Sequence, residues 1–252
     1  MSALKALLFD VDGTLADTER DGHRIAFNQA FAEAGLTWHW DLALYGDLLQ
    51  VTGGKERIQF FIERYQPSFT KPEDLTSFIA QLHKRKTHFY LELLQTGAIP
   101  LRSGVQRLLQ EAREAGLRLA IVTTTTPENV TYLLKSNLGE ESFAWFECIA
   151  AGDIVPNKKP APDIYQYALA QMNLKPEECL AFEDSENGLK AALGAGIPTI
   201  VTVNAYTEKQ DFTGALLVVD QLGEVDKSCK VIKGNLSEST YIHINALQKL
   251  YP

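Results

Sequence analysis

The stretch at residues 4–14, LKALLFDVDGT, decides the reading of the chain. Six mostly apolar residues run into Asp10, and Asp12 follows two positions later. A short apolar run bounded by glycine has the pattern of a buried parallel strand. In an extended chain residues i and i+2 face the same way, roughly 6.6 Å apart. Asp10 and Asp12 are therefore expected to leave the carboxyl end of the strand as a pair. Ligand sites of open α/β sheets lie at that edge. Gly13 permits a sharp turn, and Thr14 adds a hydroxyl. Taken alone, the pair also fits a strand that ends in Asp because Asp favours turns.

Bulk composition narrows the field. The chain has 252 residues, 45% of them hydrophobic, enough to bury a sizeable core in one large domain or a domain with a smaller companion. Net charge is −8, from 24 basic and 32 acidic residues. With no basic run, this excludes an obvious nucleic-acid binder, and an anionic substrate would need a local basic pocket. The three cysteines, Cys148, Cys179 and Cys229, have no metal or disulfide spacing, and the first two sit in apolar runs. A reducing compartment follows, the cytoplasm or a plastid stroma. The first strand starts almost at Met1, so no leader is expected ahead of it, and no apolar run approaches the roughly 20 residues needed to cross a bilayer.

Residues 15–95 read as successive helices, over 23–36, 41–50, 55–65, and from Pro72 to about residue 94. In the last, Pro72 is placed at the first helical position and Leu75, Phe78, Ile79, Leu82, Phe89 and Leu93 on the apolar stripe. A helical block after one strand predicts a separate small domain. From Leu101 strands alternate with helices of about ten residues, the signature of a doubly wound, mostly parallel sheet. Strands are expected over 117–122, 146–150, 179–182 and 197–203, with 215–219 as the edge. Helices are expected over 104–115, 128–137, 161–172 and 187–194. The predicted division is residues 1–16 with 98–252 for an α/β core and 17–97 for a helical insertion. Residues 226–252 carry no readable role, with a helix or a strand-then-helix over 241–250.

The predicted strands are followed by polar residues. Thr123 and Thr124 follow LAIV; a hydroxyl and free amides before a helix bind phosphate oxygens, though threonines there also serve as caps. In NKKPAPD, residues 157–163, Lys159 precedes Pro160, which restricts its backbone before a helix. A lysine there is a compact charge for a phosphoryl group, though Lys158 and Lys159 also fit two solvated surface lysines, the reading taken for Lys158. Glu183 and Asp184 follow CLAF. Adjacent carboxylates repel unless a cation lies between them and Asp10, and Mg²⁺ is a hard ion for such oxygens; taken alone, the pair fits better as acidic residues favouring a helix N-terminal dipole.

In order, DxDGT, a threonine after a strand, KPAPD and EDS resemble the four motifs of the haloacid dehalogenase (HAD) phosphatase superfamily. The helical block resembles its small cap. That resemblance implies a nucleophilic Asp10 that becomes an aspartyl phosphate, and an Asp12 that acts as general acid and then base. It also implies Mg²⁺ held by Asp10, Asp184 and the Asp12 backbone carbonyl, with Glu183 acting from behind or through water. Thr123, Thr124 and Lys159 would neutralise the phosphoryl oxygens.

Two cap features point to substrate. Glu19 and His23 are four apart and share a helix face. The turn Thr52-Gly53-Gly54-Lys55-Glu56-Arg57 opens a helix, and its amides with Lys55 and Arg57 can hold an anion. An exposed Glu–His pair and an ordinary Gly-rich helix start fit equally. The segments DTERDGHRIAFNQAF and VTGGKERI resemble the CbbY-type phosphatases of photosynthetic organisms. That likeness implies hydrolysis of xylulose 1,5-bisphosphate, a Rubisco inhibitor, to xylulose 5-phosphate. In it Glu19 and His23 touch the sugar and Thr52, Gly53, Gly54, Lys55 and Arg57 take the second phosphate. The expected partner is a small sugar phosphate, with no nucleic acid and no membrane, and the expected state is a monomer hinging near residues 15–17 and 97–102. A β-phosphoglucomutase-like mutase shares the four motifs. An inactive binding protein on this fold is the other alternative, and dehalogenase chemistry is disfavoured by the acid/base Asp12.

Overall fold

The computed structural model describes residues 4–51, 53–236 and 239–251. The chain divides into two compact units, Met1–Asp17 with Pro100–Pro252, and Thr18–Ile99.

The first unit is built on a seven-stranded sheet of order β3-β2-β1-β4-β5-β6-β7. The strands are β1 (Ala6–Phe9), β2 (Arg118–Thr123), β3 (Cys148–Ala151), β4 (Cys179–Glu183), β5 (Thr199–Thr202), β6 (Leu217–Val219) and β7 (Val231–Lys233). All pairings are parallel except β6 with β7. β1 and β4 are buried at every residue, as their unbroken apolar runs require. The sheet order reverses about β1, which lies between β2 and β4, so a crevice is expected at their carboxyl ends.

One expectation needs correction here, and one pair of alternatives is resolved. β6 is not the edge, because β7 pairs antiparallel with it and takes that place. β7 escaped notice because its three residues are all exposed and show no alternation. Residues 241–250 contain a helix, Ile244–Leu250, but no strand. Ile242 and Leu247 are fully buried. The last segment is tied back by Arg107, whose guanidinium donates to Gly223 O (2.7 Å), Ile242 O (2.8 Å) and Glu224 Oε2 (3.0 Å).

The second unit holds a π-helical turn, Glu19–His23, then α1 (Arg24–Glu33), α2 (Leu42–Leu48), α3 (Gly54–Tyr65) and α4 (Leu75–Gln95). Its interior is aromatic: Phe27 lies 4.6 Å from Trp40 between ring centroids, Phe31 4.9 Å from Trp40, and Trp38 5.4 Å from Phe61. Asn28 fixes Trp40 through both backbone groups, donating to its carbonyl (2.9 Å) and accepting from its amide (2.8 Å). α4 begins later than expected. Asp74, not Pro72, marks its start, with Oδ1 accepting from Ser77 N at 2.8 Å. Its buried stripe is Ile79, Leu82, Lys86, Tyr90 and Leu94, so Phe89 and Leu93 are only partly buried. The helices of the first unit are α5 (Val105–Glu114), α6 (Pro127–Leu138), α7 (Asp163–Met172), α8 (Glu186–Gly194) and α9 (Ile244–Leu250).

Candidate active site

The register of the central strands brings the site together. Phe9 pairs with Ile121 on one side and Phe182 on the other. The Phe9 and Phe182 rings stack at 4.6 Å. Asp10 and Glu183, each the next residue, therefore emerge level. Asp10 N donates to Phe182 O at 3.0 Å, which holds that register through the strand end.

Lys159 joins the two. Its ammonium donates to Asp10 Oδ1 (2.7 Å), Glu183 Oε1 (2.6 Å) and the carbonyl of Val122 (2.8 Å), so all three of its protons are used on strand ends. Burial works against that charge, but the carboxylates of Asp10 and Glu183 outweigh it and hold the ammonium above the ordinary lysine range. Lys158 points to solvent and pairs with Asp153 at 2.7 Å.

Carboxylate oxygens of Asp10, Glu183 and Asp184 lie within 4.8 Å of one another, and all three residues are buried. Burial pushes Glu183 up to about 7, with Asp10 adding to the effect against the pull of Lys159. Burial also drives Asp184 well above the carboxylate range, reinforced by the charges of Asp10 and Glu183. Glu183 Oε2 is buried with no hydrogen-bond partner among the described residues. Crowded, dehydrated oxygens of this kind, with an acceptor left over, fit a hard divalent cation such as Mg²⁺. The Asp12 carboxylate stands outside that cluster, and Asp12 is partly exposed.

The backbone is shaped to permit this crowding. A Cβ on Gly13, whose φ is +85°, would fall 2.1 Å from Asp184 Oδ2. A Cβ on Gly188 would fall 1.8 Å from Glu183 Oε2. The threonine run divides its labour. Thr123 ends β2 and is buried, with Oγ1 accepting from Thr125 N (3.3 Å); Thr124 is exposed; Thr126 caps α6, accepting from Asn129 N.

A model of the haloacid dehalogenase-like hydrolase family matches residues 4–196. The chain belongs to that family. It is 48% identical over 221 residues to the CbbY protein of Cupriavidus necator, covering 88% of this chain and 87% of that one. A crystal structure of a CbbY variant from Rhodobacter sphaeroides in complex with xylulose 1,5-bisphosphate superposes with a TM-score of 0.74 at 45% identity, over 88% of this chain and 96% of that one. A putative β-phosphoglucomutase from Thermotoga maritima gives 0.68 at 26% identity, over 86% and 94%. This HAD-like hydrolase is a phosphatase, and the resemblance drawn from its motifs is borne out. Among the described residues no helix is long and apolar enough to cross a membrane.

The second unit of this HAD-like hydrolase carries a separate polar cluster. Glu19 Oε2 accepts from Tyr45 Oη at 2.5 Å, so the pair with His23 is not simply exposed. His23 Nδ1 lies 2.8 Å from Lys86 Nζ, and its ring stacks on Tyr90 at 3.8 Å. An ammonium has no acceptor, so Nδ1 must accept and the ring proton sits on Nε2. Burial, with the charges of Lys86, Arg57 and His83, holds the His23 pKa well below the histidine range.

Arg57 is buried and turned inward. It donates to Leu48 O (3.2 Å), Tyr45 Oη (3.1 Å) and Val51 O (3.3 Å). Lys55 is exposed on the first turn of α3. Gly53 caps that helix at φ +94°, and a Cβ on Gly54 would fall 2.6 Å from the His83 ring. Thr52 lies outside the described residues. Sequence reasoning missed Lys86 and His83. A lysine in the centre of the Leu82–Tyr90 stripe was the available signal.

Proposed function

We propose that this chain is a Mg²⁺-dependent sugar-phosphate phosphatase that hydrolyses xylulose 1,5-bisphosphate to xylulose 5-phosphate. The observation that carries the reading is the convergence of Asp10, Glu183 and Asp184 on one another, with Lys159 bonded to the first two. The likeness to a CbbY protein crystallised with that bisphosphate supports the choice of substrate.

In this reading Lys159 occupies Asp10 Oδ1 and leaves the second oxygen to attack phosphorus. As that bond forms, the bond from phosphorus to the sugar oxygen breaks and Asp12 gives its proton to the leaving oxygen. Asp12 then takes a proton from water, whose oxygen displaces Asp10 from phosphorus. Lys159, the Thr123 hydroxyl and the Thr124 amide balance charge on the phosphoryl oxygens. Asp10, Asp184 and the Asp12 carbonyl would hold Mg²⁺, with Glu183 through water. When bound, the ion supplies charge neutralisation and lets the carboxylates stay ionised at neutral pH. In the helical cap, Glu19 and His23 are assigned to the sugar, and Lys55 with the Gly53 and Gly54 amides to the second phosphate. The three free cysteines fit a reducing compartment, cytoplasm or stroma.

Phosphate release should be assayed against C5 and C6 sugar mono- and bisphosphates with Mg²⁺. Preferential release from xylulose 1,5-bisphosphate is the expected result. Isomerised sugar phosphate with little free phosphate would instead identify a mutase. Asp10→Asn should abolish turnover with the fold intact, and substantial residual activity would remove Asp10 from its role.

A further inference from the structure

Arg102 lies at the end of the second connection between the two units and has no place in the four motifs. Its guanidinium gathers four backbone carbonyls from three segments of the first unit. One terminal nitrogen donates to the carbonyls of Gly13 and Thr202 (2.9 Å for Thr202) and to Thr202 Oγ1 (3.2 Å). The other donates to Val203 O (2.6 Å) and Asp220 O (2.8 Å). Nε faces Asp17 Oδ1 at 3.4 Å. Its own amide donates to Leu15 O at 2.8 Å. A planar fork with five donors suits this set, and the compact ammonium of a lysine does not.

The peptides it holds are those beneath the acidic cluster. Val203 precedes Asn204, whose Nδ2 donates to Asp184 Oδ2 at 2.7 Å. Gly13 closes on the same two groups: a Cβ there would lie 2.1 Å from Asp184 Oδ2 and 2.8 Å from Asn204 Nδ2. Asn204 is itself fixed, its amide donating to Thr207 Oγ1 (3.0 Å) and its Oδ1 accepting from Tyr206 N (2.9 Å). One guanidinium therefore sets the separation of the Asp12–Gly13 turn from the Val203–Asn204 peptide, and Asp184 sits between them.

We propose that Arg102 is a positioning residue for the metal arm, acting through Gly13 and Asn204 to aim the Asp184 carboxylate. The inference rests on the Mg²⁺ reading above. Orienting partners of metal ligands typically govern affinity by about 10- to 100-fold. Mn²⁺ binding followed by electron paramagnetic resonance, with Mn²⁺ alone as the probe, separates the two claims. Arg102→Lys and Asn204→Ala are each expected to weaken Mn²⁺ binding by about tenfold. The double variant should be no weaker than the worse single one, because both act along one chain of contacts. In steady-state assays kcat should fall while KM for the sugar phosphate holds. If wild type binds Mn²⁺ but Arg102→Lys binds it equally well, the positioning role is overturned, as it is if the two losses multiply. Failure of wild type to bind Mn²⁺ would overturn the metal reading itself. Should Arg102→Lys not fold, Thr202→Val removes one acceptor of the same guanidinium. A weaker loss in the same direction supports the role, and unchanged binding overturns it.

Discussion

Tyr165 and Glu183 share a short hydrogen bond on the floor of the acidic cluster, the phenol donating to the same Oε1 that accepts from Lys159. Both side chains are fully buried. The Lys159 ammonium also lies 5.3 Å above the Tyr165 ring centroid. One tyrosine thus orients a carboxylate and a lysine together. Tyr165→Phe keeps the ring and removes only the donor. It should cost about 1–3 kcal/mol of stability, since Glu183 loses a donor in a dry site. It should also lower kcat more than it raises KM, and urea unfolding with steady-state kinetics would check both. A stable variant with wild-type kcat would show that the phenol orients nothing.

The cap cluster predicts a pH dependence of fixed sign. His23 is neutral in the folded protein with its pKa depressed, and the unfolded value is near 6.5. The unfolded chain therefore binds more protons below that value, and stability falls as pH drops through it. Lys86 and Arg57 are the positive groups facing the ring, and His83, whose own pKa is lowered by burial, adds charge only as it protonates. Glu183 works oppositely. Raised to about 7, it contributes stability that is full below its unfolded value of 4.5 and is lost as pH rises through 7. The difference between wild type and His23→Gln isolates the histidine. Melting curves from pH 8 to pH 5.5 should show the smaller acid loss in the variant; parallel curves would contradict the depressed pKa.

Lys55 and Arg57 should behave differently although they are two residues apart. Lys55 is exposed, so Lys55→Ala should leave the fold intact and raise KM for a bisphosphate more than for a monophosphate. Arg57→Ala removes three internal hydrogen bonds, from Nε, Nη1 and Nη2. It should cost about 1–3 kcal/mol for each polar group left unsatisfied. Equal KM effects of Lys55→Ala on both substrates would count against a second phosphate there.

The connection between β6 and β7, for which the sequence shows no motif, carries a structural load. Glu224 Oε1 accepts from Gly104 N at 2.7 Å at the start of α5, and its other oxygen pairs with Arg107. Glu224→Ala should destabilise by about 1–3 kcal/mol with kcat unchanged. A denaturation midpoint equal to that of wild type would dissociate this contact from stability.

The core of the site was legible because it is written at strand ends. Asp10, Thr123 and Glu183 follow or close apolar runs, and parallel register brings consecutive positions of β1, β2 and β4 level without further information. Lys159 was legible through its motif. Arg102, Tyr165, Asn204 and Lys86 were not. Each acts through contacts far away in sequence, 18 residues for Tyr165 with Glu183 and 63 for Lys86 with His23. No local period records such pairings. Arg102 looks like any polar linker residue until Gly13, Val203 and Asp220 are seen around it. β7 failed for a different reason: three exposed residues that pair with one neighbour leave no alternation to read.

That outer strand sets a colloidal requirement on the whole protein. Val231 and Ile232 are exposed on the last strand, which among the described residues has no partner strand on its outer side and there offers backbone donors and acceptors to an extended chain. Lys230 and Lys233 flank them in sequence, the Lys233 ammonium also reaching Phe212 O at 3.4 Å, so an approaching strand meets positive charge at both ends of the pair. Replacing both lysines with threonine should leave turnover intact and raise light scattering at high protein concentration; scattering equal to that of wild type would mean that the two charges do not guard this edge.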